Sequence, residues 1–152
     1  MIALIQRVNF AQVTVGGRIV GRIERGILAL VGVQATDSAA AAARLLERLL
    51  GYRLFPDDEG RMNRSLAETG GGLLLVPQFT LAADTRKGNR AGFSTAAAPA
   101  TAQALFDLLV AEARARHAGV ATGEFGADMQ VALVNDGPVT IPLRVVPGAL
   151  KD

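Results

Sequence analysis

Two stretches of this sequence carry residues suited to chemistry. The first is Pro77-Gln78-Phe79-Thr80-Leu81, directly after the apolar run "GLLLV" at 72–76. The second is "NDGPVT" at 135–140, directly after "DMQVALV" at 128–134. Each breaks a strand-like run abruptly around a proline. Proline has no N–H, so carbonyls beside it can go unpaired and point outward at a ligand. Gly137-Pro138 adds glycine's backbone range and the option of a cis bond. On composition alone, both stretches also fit ordinary turns.

The elements that must position them follow from periodicity. "IALIQRV" at 2–8, "AQVTV" at 11–15, "RIVGRI" at 18–23 and "GILALVGV" at 26–33 read as strands, with Gly16-Gly17 as a hairpin signal. A helix is predicted around "AAAAA" at 39–43, with Asp37 or Ser38 as cap, Leu45, Leu46, Leu49 and Leu50 as its apolar face, and Gly51 at its end. "YRLF" at 52–55 and "GLLLV" at 72–76 read as further strands around a polar turn. A second helix is predicted over about 100–118, with Pro99 in its first turn, Leu105, Leu108 and Leu109 at helical spacing, and Gly119 ending it. Strands at 128–134 and 139–146, punctuated by "NDG", complete a single α+β domain over 1–152, with two main helices on a mainly antiparallel, barrel-like sheet.

Composition excludes several classes. There is no cysteine and one histidine, His117, so disulfides, thiolate catalysis and a His-rich metal site are ruled out. His117 falls at a predicted helix C-terminus, where its charge is favourable. No segment approaches the roughly 20 apolar residues of a membrane span, and Gln6 and Arg7 interrupt any signal-like run, so cytoplasmic residence is expected. The formal charge is only +2, but "DTRKGNR" at 84–90 gathers Arg86, Lys87 and Arg90 into a basic loop. "GGRIVG" at 16–21 lies in a hairpin and opens no helix, so it is not a phosphate loop.

"MIALIQRV", "LGYRLFPDDEGRMN", "QFTLAADTRKGNR" and "FGADMQVALVNDGPVT", in this order, resemble the bacterial D-aminoacyl-tRNA deacylases along nearly the whole chain. The resemblance implies hydrolysis of the ester between a D-amino acid, or misattached glycine, and the terminal adenosine of tRNA. It implies a homodimer and no metal or other cofactor. The first family motif reads Ser-Gln-Phe-Thr-Leu, matched here by residues 77–81 with Pro77 in place of serine. The second is a Gly-cis-Pro pair, matched by Gly137 and Pro138, which in the family reaches into the partner subunit's site. Its carbonyls hold the substrate's ammonium and leave no room for an L side chain. Glycine has no side chain to clash and should pass such a filter.

On this reading the backbone N–H groups of the 77–80 turn stabilise the oxyanion. Thr80 invites a nucleophile reading, but no histidine or lysine in its motif activates the hydroxyl, so water attack aided by the substrate's 2′-hydroxyl is expected. Arg7 is expected to brace the Gly137-Pro138 loop. Phe79, Phe125 and Met129 flank the terminal adenine or the amino-acid pocket, with core packing as the plain alternative. Arg86, Lys87 and Arg90 contact phosphates near the tRNA end, against a merely solvated loop. Asp136 is expected to be a turn former. The family's usual Pro-Ser is Ala91-Gly92 here, which loosens the loop. Pro77 is shared with a related branch that reads Pro-Gln-Ala-Thr-Leu and tolerates L-alanine. Phe79 and "NDGPVT" favour D-specificity, leaving relaxed chirality, a silent acceptor-end binder and a non-enzymatic scaffold as alternatives.

Overall fold

The computed structural model describes residues 1–146. The two N-terminal strand segments join into one 14-residue strand, β1 (Ile2–Val15). Gly16 and Gly17, both at positive φ (54° and 77°), turn it into β2 (Arg18–Ile23), as a two-residue hairpin requires. β3 (Gly26–Gly32) returns antiparallel to β1. β6 (Gly72–Pro77) and β7 (Val120–Thr122) then add in parallel, giving the order β2-β1-β3-β6-β7. The sheet is mainly antiparallel, as expected, with two parallel pairings, β3 with β6 and β6 with β7. Its parallel crossovers carry the two main helices, α1 (Ala39–Gly51) between β3 and β6, and α3 (Pro99–Arg116) between β6 and β7.

The sheet curls until its ends meet. A Cβ at Gly21 in β2 would overlap the Thr122 carbonyl of β7, so the missing side chain is what allows this approach. A nearly closed barrel results, with helices on one outer face. Strand alternation then divides β3 between two cores. Ile27, Ala29 and Val31 pack with Leu45, Leu46 and Leu49 of α1 and with Phe106 and Leu109 of α3. Leu28 points the other way, into the barrel, with Val13, Leu74 and Val76. A strand buried on both faces needs the continuous apolar run seen in "GILALVG".

Several local expectations shift. Ser38 is the α1 cap residue but makes no side-chain cap bond. Asp37 instead accepts the Met1 ammonium (2.6 Å) and the Gln34 N–H (2.6 Å), both away from the helix. Gly51 stays inside α1, and extended Tyr52 ends it. "YRLF" shrinks to β4 (Phe55–Pro56), paired with β5 (Met62–Arg64). A four-residue α2 (Leu66–Thr69) follows, held by a reciprocal Ser65–Glu68 capping box. α3 ends at Arg116, with His117 as its cap and Nε2 2.6 Å from the Gly71 carbonyl oxygen.

The strands expected at 128–134 and 139–146 are one strand, β8 (Gln130–Arg144), antiparallel along β1's other edge. Thr140 pairs with Gln6 and Asn135 with Val8. Residues 136–139 therefore stand opposite Arg7 alone and are extruded as a bulge. The "NDG" punctuation marks this bulge, because both flanking segments find partners on the same long strand. Among the described residues, no helix is long and apolar enough to cross a membrane.

Candidate active site

The first motif sits where β6 runs out. In a parallel strand, successive N–H groups face alternate neighbours. Leu73 and its odd-numbered companions face β7, and the Gln78 N–H donates to Val31 of β3 at 2.7 Å. Position 77 would face β7 where that strand has already ended at Thr122, so a proline there forfeits no β7 ladder bond. The chain then enters a short 3-10 turn, Phe79–Ala82.

That turn decides which donors are free. Pro77 has no N–H, and Gln78's is committed to β3. Phe79 and Thr80 occupy the first positions of the turn, whose N–H groups have no intrahelical acceptor. Neither donates to any acceptor among the described residues. Two adjacent N–H groups thus remain available at an exposed corner. The Gln78 side-chain amide donates to the Thr80 hydroxyl oxygen. An amide is no base, so this contact orients the hydroxyl without activating it. His117 is at the opposite end of β6, about 17 Å away at strand rise.

Met129 lies at the mouth of the barrel beside the turn. A Cβ at Gly123 would stand 2.9 Å from Met129 Sδ and 3.4 Å from Pro77 Cδ, so these three residues form one wall. Phe125 is half-buried against the core beneath the helices. On the other side of the turn, Phe93 meets Phe79, with ring centroids 5.0 Å apart and planes tilted by 51°. Phe79 is 59% exposed and Phe93 40%.

The basic loop is closed at its neck. Asp84 and Gly92 exchange both backbone hydrogen bonds (2.7 and 3.0 Å). Within it, the Asp84 carboxylate accepts from Arg86 Nε (2.8 Å), Nη2 (2.6 Å) and the backbone N–H (3.1 Å). The guanidinium first, and the N–H second, hold this carboxyl far below the usual carboxylate range. Arg86 is correspondingly raised by Asp84. Lys87 and Arg90 line the same concavity, with Gly92 and Ser94, and have no carboxylate partner among the described residues.

The second motif is braced from within its own chain. Arg7 donates through Nε to the Asp136 carbonyl (3.0 Å) and through Nη1 to the Leu54 carbonyl (2.7 Å). Its Nε is also 3.3 Å from the Asp136 carboxylate. Asn135 ties the base of the bulge, accepting from the Val139 N–H (3.0 Å) and donating to Thr140 Oγ1 (2.8 Å). Asp136 is thus an ion-pair partner within a strand bulge, not a turn former. The Gly137-Pro138 bond is cis. In sheet order β1 and β3 stand between the bulge on β8 and the turn after β6, so the sheet does not make them neighbours.

Residues 4–144 match the family model described as D-Tyr-tRNA(Tyr) deacylase. The chain belongs to this deacylase family. Curated relatives named D-aminoacyl-tRNA deacylase include one from Thioalkalivibrio sulfidiphilus, 67% identical over 97% of this chain and 99% of its own. One from Methylococcus capsulatus is 65% identical over 97% of this chain and 96% of its own. Among solved structures, the c-Myc DNA unwinding element binding protein superposes with a TM-score of 0.92 at 35% identity, covering 96% of this chain and 99% of its own. A probable eukaryotic D-amino acid tRNA deacylase shares the fold, with a TM-score of 0.81 at 19% identity over 93% and 97% of the two chains. The matched span contains both the turn at 77–82 and the bulge at 136–139 described above.

Proposed function

We propose that this chain hydrolyses the ester joining a D-amino acid, or glycine, to the terminal adenosine of tRNA. Family membership and the two free N–H groups of Phe79 and Thr80 support the reading. Attack at the ester carbonyl moves charge onto its oxygen, and two preorganised donors are what that oxyanion needs. Water adds to the carbonyl carbon, the carbon–ribose oxygen bond breaks, and the substrate's 2′-hydroxyl assists the departing oxygen. Gln78 positions Thr80 and its turn. Pro77 and Met129 wall one side of the pocket, and Arg86, Lys87 and Arg90 face the incoming tRNA end. Phe125 acts only through packing.

Chirality comes from a second copy of the chain. β8's outer edge has no partner among the described residues, and Val131 and Val134 are exposed on that strand. A long apolar edge is a template for another strand. In the dimer, the Gly137-Pro138 bulge of each protomer enters the partner's site, its carbonyls take the ammonium, and the wall around them excludes an L side chain. Arg7 keeps the bulge in register.

The test is timed ester loss from D-tyrosyl-, L-tyrosyl-, glycyl- and L-alanyl-tRNA. The D and glycyl esters are expected to be lost fast. No acceleration of any ester over buffer refutes the enzyme. Rapid loss of L-alanyl-tRNA replaces D-specificity with the relaxed chirality that Pro77 suggests. Thr80→Ala keeps its N–H and is expected to retain most activity. Complete loss with an unchanged melting temperature would restore the hydroxyl as nucleophile. A forced monomer is expected to fold and be inactive.

A further inference from the structure

We infer that Phe93, with Phe79, forms a stacking platform for the nucleotide on the 5′ side of the terminal adenosine. The intervening phosphate sits between Lys87 and Arg90. This inference rests on the function proposed above, and it adds a binding residue that neither signature motif contains.

The aromatic pair calls for an explanation. Large apolar rings are normally buried, yet both rings are open to solvent while touching each other. A tilted pair at this spacing is a favourable aromatic contact, and it leaves ring faces open. The platform is also rigid. Phe93 follows Gly92, which closes the loop neck with Asp84. Two residues later the Thr95 hydroxyl donates to the Ala82 carbonyl, and the Thr95 carbonyl accepts from Ala35. Phe79 is fixed by the turn that carries the two free N–H groups.

Charge gives the direction. Arg86 is saturated by Asp84, so it organises the loop more than it offers a free cation. Lys87 and Arg90 remain to meet an anion. A terminal nucleoside esterified on its ribose has one phosphate, and that phosphate leads 5′ into the chain. A cationic concavity beside the reaction corner therefore marks where the RNA leaves. The loop's strand attachments agree: Ala97 donates to Val33 beyond β3, whereas Gly123 beside Met129 donates to Leu75 from the β7 side. With the terminal adenosine set against the Met129 wall, the nucleotide before it lies on the opposite side of the turn. Exposed aromatics interleaved with free cations are the usual means of holding single-stranded RNA.

The test compares Phe93→Leu with the parent on two substrates, D-tyrosyl-tRNA and 3′-O-D-tyrosyl-adenosine, which lacks both the phosphate and the inner base. Losing one stacked base is expected to cost about tenfold in kcat/KM on the tRNA, mostly through KM. The adenosine ester should be hydrolysed at the parent rate, and the melting temperature should not move. Equal losses on both substrates, or no loss on tRNA, overturn the platform. Binding of the trinucleotide CpCpA against adenosine provides an arm independent of catalysis. Phe93→Leu and Lys87→Ala should each weaken CpCpA alone. If the parent hydrolyses neither ester, the proposed function fails, and CpCpA binding still decides the platform: unchanged affinity in Phe93→Leu refutes it.

Discussion

Replacing Arg7 by alanine tests the join between stability and function most directly. The side chain is only 13% exposed and donates to two carbonyls, those of Leu54 and Asp136, that local secondary structure cannot bring together. Hydrogen bonds from a charged donor contribute about 1.5–3 kcal/mol each. The Leu54 bond belongs near the top of that range, because Leu54 is buried and its carbonyl would be left without this donor. The Asp136 bond belongs near the bottom, because that residue is half-buried and the bulge can relax toward water. The sum is about 4.5 kcal/mol, of which relaxation recovers a part, leaving about 3 kcal/mol. For a chain of this size, that lowers Tm by roughly 6–12 °C. The measurements are a thermal melt and ester hydrolysis on D-tyrosyl-tRNA, run on Arg7→Ala and Arg7→Lys. Lysine has no planar fork to span both carbonyls, so it should recover about half of the lost stability. Activity should fall in both variants below the melting range, since the bulge is no longer held in place. An Arg7→Ala protein that melts within about 2 °C of the parent and hydrolyses at the parent rate would refute the brace.

Two further outcomes follow from other parts of the fold. Gly21→Ala places a methyl against the Thr122 carbonyl, a backbone atom with little room to yield, and should cost about 1–3 kcal/mol, read from the urea midpoint. An unchanged midpoint would mean that β2 and β7 do not close the barrel. The Asp84 carboxyl is depressed by Arg86, so its contribution to loop order is complete above the ordinary carboxylate pKa, about 4, and is lost as pH falls through the lower folded value. Amide protection over 84–92, taken relative to the intrinsic exchange rate at each pH, should be high at neutral pH and fall in acid, while Asp84→Asn should be poorly protected throughout. Identical protection in both proteins at neutral pH would refute the pin.

What could be read from the sequence was local. Leu45, Leu46 and Leu49 announce α1 by spacing, and Gly16-Gly17 announces its hairpin by chemistry. Ser65 and Glu68 carry the capping-box spacing that marks the start of α2. β8 was not legible as one strand, because its continuity depends on β1, more than a hundred residues earlier. Pro77 and Thr80 stood out as residue types. Which N–H groups near them stay free depends on Val31, and that required the register. The resemblance points to Arg7 as a brace, but its acceptor at Leu54 belongs to a segment with no pattern linking it to residue 7. Phe93 had no periodicity around it, and only its contact with Phe79 gives it meaning.

The pairing of β1 with β8 also sets the order of events during synthesis. Ile2 pairs with Arg144, so the first strand made waits for nearly all of the described chain before its second edge is covered. Contacts of such sequence separation are slow to form, and an open edge is vulnerable to other chains while it waits. Arg7 emerges early, yet its Asp136 acceptor is among the last groups to appear. A nascent chain halted before residue 136 can lay down the helices and the 77–80 turn, but it has no bulge to offer. The turn with its two free N–H groups and the cis-proline bulge are therefore acquired at different moments, with the bulge last.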